Sequence, residues 1–153
     1  LPSKMSENMP KNMENIYYLI RQIRNQRPRE IYIPLSSISS STSTSSNLNS
    51  SIQQATFGRS HENNITLHAV CISRLHAKIV KTTDKIELID LNSTYGTCVI
   101  QGKWDAKNEI FQATKKTLVD KGNAMVIKSR DFIQFAHKSL DEHGFSFQFI
   151  DLR

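Results

Sequence analysis

Short apolar runs separated by polar turns set the rhythm of this chain. Ala77-Lys78-Ile79-Val80-Lys81 and Ile86-Glu87-Leu88-Ile89-Asp90 alternate with the two-residue period of a strand, Ala77 and Ile79 on one side. Phe145, Phe147 and Phe149 alternate with Ser146 and Gln148, and the three rings are expected to face a core. Residues 97–100, 124–127 and 132–135 read as further strands, residues 55–57 end one at Gly58, and residues 65–67 form a short apolar piece. Residues 16–23 admit a helical face through Met13, Ile16, Tyr17, Ile20 and Ile23, but their aromatic and β-branched content favours a strand. Residues 30–35 then follow as its hairpin partner across a polar turn containing Pro28. Turns are expected at 82–85, at Gln101-Gly102-Lys103 and at Asp120-Lys121-Gly122-Asn123. Residues 104–116 read as a loop with a short irregular piece. The pattern as a whole predicts an all-β, two-sheet sandwich.

Two polar segments interrupt that pattern. Residues 1–15, rich in Met, Asn, Ser and Lys, read as a flexible lead-in. Residues 36–51 are almost wholly Ser, Thr and Asn, too little apolar surface to offset the entropy of ordering, and read as a disordered insertion in a domain spanning 16–152. The 153 residues suffice for one domain with a core, and the 38% of hydrophobic residues are clustered. A formal charge of +6 suits an anionic partner without choosing among DNA, RNA, acidic lipid and phosphopeptide. Cys71 and Cys98 are too few for a disulfide scaffold and point to a reducing compartment. No apolar run is long enough to span a membrane and no signal-peptide pattern is present, so an intracellular domain is expected.

Chemistry concentrates between Thr56 and Thr97. The anchors are Phe57-Gly58-Arg59-Ser60, Ile72-Ser73-Arg74-Leu75-His76-Ala77 and Asp90-Leu91-Asn92-Ser93-Thr94-Tyr95-Gly96-Thr97, each at a strand end. Arg59 and Arg74 offer rigid donor forks suited to phosphate; Ser73 and Thr94 offer small hydroxyls; Gly58 and Gly96 allow sharp turns. Singly, each reads equally well as a surface arginine or a turn serine bonding its own backbone. Together they suggest an anion site built from loops. A zinc site from His68, Cys71, His76 and Cys98 lacks any recognised ligand spacing. Ser73 near His76 suggests a hydrolase pair, but no orienting acid accompanies it, and Asp90 reads as a turn residue. No Gly-rich nucleotide loop with its lysine is present. The chain is therefore read as a non-enzyme without metal or cofactor. Nucleic-acid binding is the main alternative, since Arg21, Arg24, Arg27 and Arg29 crowd the first hairpin, although no helix-turn-helix, finger or RNA-binding pattern appears. Phosphate-independent protein interaction is the third reading.

In order and spacing, the three anchors resemble the forkhead-associated (FHA) domain. The resemblance implies a β-sandwich of about eleven strands whose apical loops bind phosphothreonine in an extended peptide. By position, Arg59, Ser73, Arg74 and Thr94 resemble the family's phosphate-contacting residues, His76 its structural histidine, and Gly58 and Gly96 its turn glycines. Tyr95 stands where the family usually carries the Asn that holds the peptide backbone, and a single hydroxyl cannot reproduce that amide's paired contact. The implied partner is a phosphothreonine-containing protein marked by a Ser/Thr kinase, with the nucleus or the cytoplasm as compartment. Preference for the residue three places after the phosphothreonine is expected from the 82–85 and 101–107 segments, where Lys103 and Lys107 suggest an acidic residue.

Overall fold

The structure is a computed structural model that describes residues 18–22, 29–33, 35–38, 52–138 and 145–152. The described residues form twelve strands: β1 (Tyr18–Gln22), β2 (Arg29–Tyr32), β3 (Ser36–Ile38), β4 (Ile52–Gly58), β5 (Ile65–Thr66), β6 (Ala77–Lys81), β7 (Ile86–Asp90), β8 (Thr97–Asp105), β9 (Ile110–Leu118), β10 (Ala124–Ile127), β11 (Phe132–Phe135) and β12 (Phe145–Asp151). One sheet runs β2-β1-β12-β11-β8-β9. The other runs β10-β7-β6-β4-β3, with β5 added in parallel to β4. The all-β two-sheet sandwich expected from the alternation is the architecture observed.

The inner faces meet in one core. Ile20, Phe147, Phe149, Ile133, Phe135 and Val99 come from the first sheet; Ala55, Phe57, Ala77, Ile79 and Leu88 come from the second. Phe135 is central: its ring lies 5.2 Å from Phe57, 5.8 Å from Phe147 and 5.7 Å from His76. These offset and edge-on arrangements suit aromatic quadrupoles. The core therefore reaches the base of the loops that carry the sequence anchors.

Local expectations are corrected at two places in the chain. Gln101-Gly102-Lys103 is not a turn, and residues 104–116 are not an irregular loop. β8 continues to Asp105 and returns as β9, paired along its length. Gly102 lies at a bulge where a Cβ would sit 2.1 Å from the Gln112 carbonyl oxygen, so close strand approach requires this glycine. The true turn follows Asp105, whose carboxylate accepts the Lys107 and Asn108 amides and the Asn108 side chain. The second correction concerns the Ser/Thr-rich segment: its first residues, Ser36–Ile38, pair with Ile52–Gln54 of β4. Backbone pairing there asks little of the side chains. Residues 39–51 and 1–15 lie outside the described residues.

Candidate functional site

Strand direction sorts the loops. β4, β7 and β11 run toward one end of the sandwich; β6, β8 and β12 start from it. The segments 59–64, 67–76, 91–96, 119–123 and 136–138 therefore gather at that end, and with them all three sequence anchors. The 82–85 and 106–109 turns lie at the opposite end, as do Lys103 and Lys107. The expectation that 82–85 and 101–107 flank the anchors is thus overturned, because each is reached only by traversing a strand away from them.

The first anchor is held by a near-contact. Ser60 N–H and the Asn63 side-chain amide both donate to the Arg74 carbonyl, at 3.1 and 2.7 Å. A Cβ on Gly58 would come within 2.2 Å of the same oxygen. Arg59 N–H donates to the Ser73 carbonyl at 2.9 Å, and Arg59 Nε donates to the Ile72 carbonyl at 3.1 Å. Ile72 is fully buried, which pins the loop, while the Arg59 and Arg74 side chains are exposed. A cavity of about 490 Å³ opens beside Arg74, lined by Thr56, Ser60, Glu62, Asn63 and Leu75.

His76 joins the second anchor to the third. Its Nδ1 accepts the Ser73 N–H at 3.1 Å and its Nε2 faces the Gly96 carbonyl at 3.0 Å. A carbonyl only accepts, so the proton sits on Nε2 and the ring is neutral. Burial pushes its pKa below the usual value, against the opposing pull of the Gly96 bond and the Asp90 charge. Both nitrogens are occupied, which leaves no free base for a hydrolytic role. Ser73 Oγ accepts the Thr94 N–H at 2.9 Å, a direct tie between the two loops.

The third anchor is organised by a buried carboxylate. Asp90 accepts the Ser93 N–H at 2.8 Å, the Ser93 hydroxyl at 2.6 Å and the Thr97 hydroxyl at 2.7 Å. Burial raises its pKa, but the Ser93 and Thr97 bonds outweigh that and hold it below the usual carboxylate value. Gly96 adopts φ +77°, and a Cβ there would also meet His137 Nε2 at 2.8 Å. Thr94 and Tyr95 are left exposed on the outside of the loop, Tyr95 at 40%. Arg59, Ser73, Arg74, Thr94 and Tyr95 thus stand on loops locked to one another by Gly58, His76 and Gly96.

A sequence profile of the FHA domain matches residues 55–136. The chain belongs to the FHA domain family. Among solved structures, this FHA domain is similar to the N-terminal FHA domain of S. cerevisiae Rad53p in complex with a phosphothreonine peptide: 20% identity, TM-score 0.58, covering 89% of this chain and 94% of that one. It is also similar to the FHA domain of an Arabidopsis thaliana hypothetical protein, with 15% identity, TM-score 0.55 and coverage of 99% and 96%. Mycobacterium tuberculosis EmbR, in complex with a low-affinity phosphopeptide, matches with 19% identity and TM-score 0.50 over 89% of this chain, which spans only 24% of EmbR. At these identities the likeness is one of fold. No functionally curated protein matches significantly in sequence.

Three supporting residues of the FHA domain escaped the sequence reading. Asn63 holds the Arg74 carbonyl, and its only signal was an amide in a polar turn. His137 packs on Gly96 from a strand end forty-one positions away in sequence, with no local signal at all. Asp90 read as a turn residue but is a fully buried acceptor for three donors. Of the imagined zinc ligands, Cys98 bonds Gln134 through its Sγ and His76 is saturated by Ser73 and Gly96; among the described residues no group of metal-ligating side chains clusters.

Proposed function

We propose that this FHA domain is a phosphothreonine-dependent peptide-binding module, not an enzyme. Arg59, Ser73, Arg74 and Thr94 would contact the phosphate, and Tyr95 the peptide beside it. The observation that carries the reading is the Ser73 Oγ bond to Thr94 N–H, which with the His76 bridge ties the second anchor to the third, while the Arg59 and Ser60 amides tie the first to the second, leaving one preorganised surface. Preorganised donors lose little entropy on meeting an anion. The Arg59 fork is fixed at Nε by the Ile72 carbonyl while the side chain stays exposed, as a phosphate clamp requires. The Rad53p and EmbR domains with bound phosphopeptides support the same reading. The partner is then a protein marked by a Ser/Thr kinase, met in the nucleus or the cytoplasm.

Calorimetry with a phosphothreonine peptide library tests this. Binding is expected only for phosphorylated peptides, and Arg59→Ala is expected to weaken it by about 1.5–3 kcal/mol, the range for hydrogen bonds to charged groups. Equal affinity for phosphorylated and unphosphorylated peptides would sink the proposal.

A further inference from the structure

We propose that the outer edge of β9 docks an extended acidic polypeptide segment, which adds to the sheet as a further strand. Among the described residues β9 is the last strand of its sheet, with β8 on one side and no strand on the other. It is nine residues long, about 30 Å at roughly 3.3 Å per residue. Natural edge strands are kept short, broken by proline or a bulge, guarded by charged side chains, above all lysine, or covered. β9 is long, and its guards are a bulge at Thr114 and the side chains of Lys115 and Lys116, which a strand bearing carboxylates would neutralise. β9 contains no proline and pairs with β8 on both sides of Thr114, which the bulge opposite Gln101/Gly102 leaves out of register. Its outward backbone groups form a ready ladder for an incoming strand.

The side chains define the partner. Lys115 and Lys116, opposite Gln101 and Ile100, are exposed and project to opposite faces of the sheet, so an added strand would have a cation above it and another below. On the outer face, Phe111 meets Phe132 edge-on at 5.0 Å, Arg130 lies 4.3 Å over the Trp104 ring, and Leu118 is 54% exposed. Trp104 on β8 and Phe132 on β11 lie inward of the edge, so Phe111 and Leu118 are the apolar side chains that a strand added outside β9 would meet. A second copy of this chain fits poorly, because antiparallel β9–β9 pairing would crowd the Lys115 and Lys116 pairs of both copies together. A nucleic-acid strand has no peptide groups with which to complete the ladder. An extended segment with carboxylates beside Lys115 and Lys116, and apolar groups beside Phe111 and Leu118, satisfies every feature. This surface lies on the flank of the sandwich and does not depend on the phosphopeptide reading.

The test titrates the isotope-labelled full chain with an unphosphorylated peptide as long as β9, alternating glutamate with valine and threonine. Backbone amides of residues 110–118 are expected to shift and to gain protection from hydrogen exchange. The double variant Lys115→Glu, Lys116→Glu is expected to bind at least about tenfold more weakly and to recover affinity for a peptide whose glutamates are replaced by lysine. Both lysines are exposed, so the variant's spectrum elsewhere should match the parent's. Shifts confined to the apical loops, undiminished binding by the charge-reversed variant, dimerisation through β9 without peptide, or a stronger response of the same amides to a single-stranded oligonucleotide would each overturn the proposal.

Discussion

Asp90→Asn is the sharpest probe of how the apical surface is held. The carboxylate accepts three hydrogen bonds at 2.6–2.8 Å, two from Ser93 and one from Thr97, and is fully buried. An amide of the same shape can keep its oxygen toward the Ser93 N–H and turn its NH2 toward the two hydroxyls, which rotate to accept. The three bonds survive but become neutral. Each falls from about 1.5–3 kcal/mol to about 0.5–1.5, a loss of about 3–4 kcal/mol for the set. Relief of the desolvation that burial imposes on a charge returns part of it. A net destabilisation of about 2 kcal/mol is expected, or a drop of about 4–8 °C in Tm for a chain of this size. Urea denaturation of the variant, beside Ser93→Ala and the double variant, measures the loss and shows whether the two residues couple by about 1 kcal/mol. The pH dependence gives an independent check. Asp90 is held below its usual pKa, so its stabilisation is present above about pH 4 and lost as pH falls through the depressed value. The parent and variant curves therefore converge in acid. An Asp90→Asn protein within about 0.5 kcal/mol of the parent, with parallel curves, would show that backbone bonds alone hold the loop: Gly122 N–H to Asp90 and Leu91 N–H to His76.

Three further outcomes are expected. Gly58→Ala should destabilise by about 3 kcal/mol or more and abolish phosphopeptide binding, since a Cβ 2.2 Å from the Arg74 carbonyl forces backbone movement; a crystal structure of the variant with an unmoved 58–74 contact would contradict this. His76 should show the neutral Nε2–H tautomer by nitrogen-edited NMR, and stability should fall as pH drops below 6.5 toward its lowered folded value, because only the unfolded chain takes up that proton; His137, lowered mainly by burial, adds in the same sense. An Nδ1–H tautomer would refute the bridge. Tyr95→Asn should tighten phosphothreonine-peptide binding or change the preferred sequence, since an amide offers a donor and an acceptor where the phenol has one hydroxyl; an unchanged library profile would count against a peptide-contacting role.

Much of this protein was legible locally. Alternation at two-residue period located β6 and β7 to the residue, short apolar runs bounded by turns located β10 and β11, and the pattern gave the sandwich, because a strand with one buried face alternates. Glycine, serine and arginine at three strand ends marked the anchors, because turns select those residue types from the backbone outward. What the chain alone could not decide is which strand ends share a pole of the sandwich. That depends on strand direction and sheet order, and it sent the 82–85 and 106–109 turns to the end opposite the anchors. Gly102 misled for the same reason: a glycine demanded by the close approach of β9 carries the same local signature as a glycine demanded by a turn. Asn63, Asp90 and His137 act through partners fixed only when loops and strands dock: the Arg74 carbonyl, the Ser93 and Thr97 hydroxyls, and Gly96. The sequence determined the strands and the chemistry at their ends. The tertiary structure decided which of those ends became one surface, because hydrogen bonds between distant loops exist only after the sheets have packed.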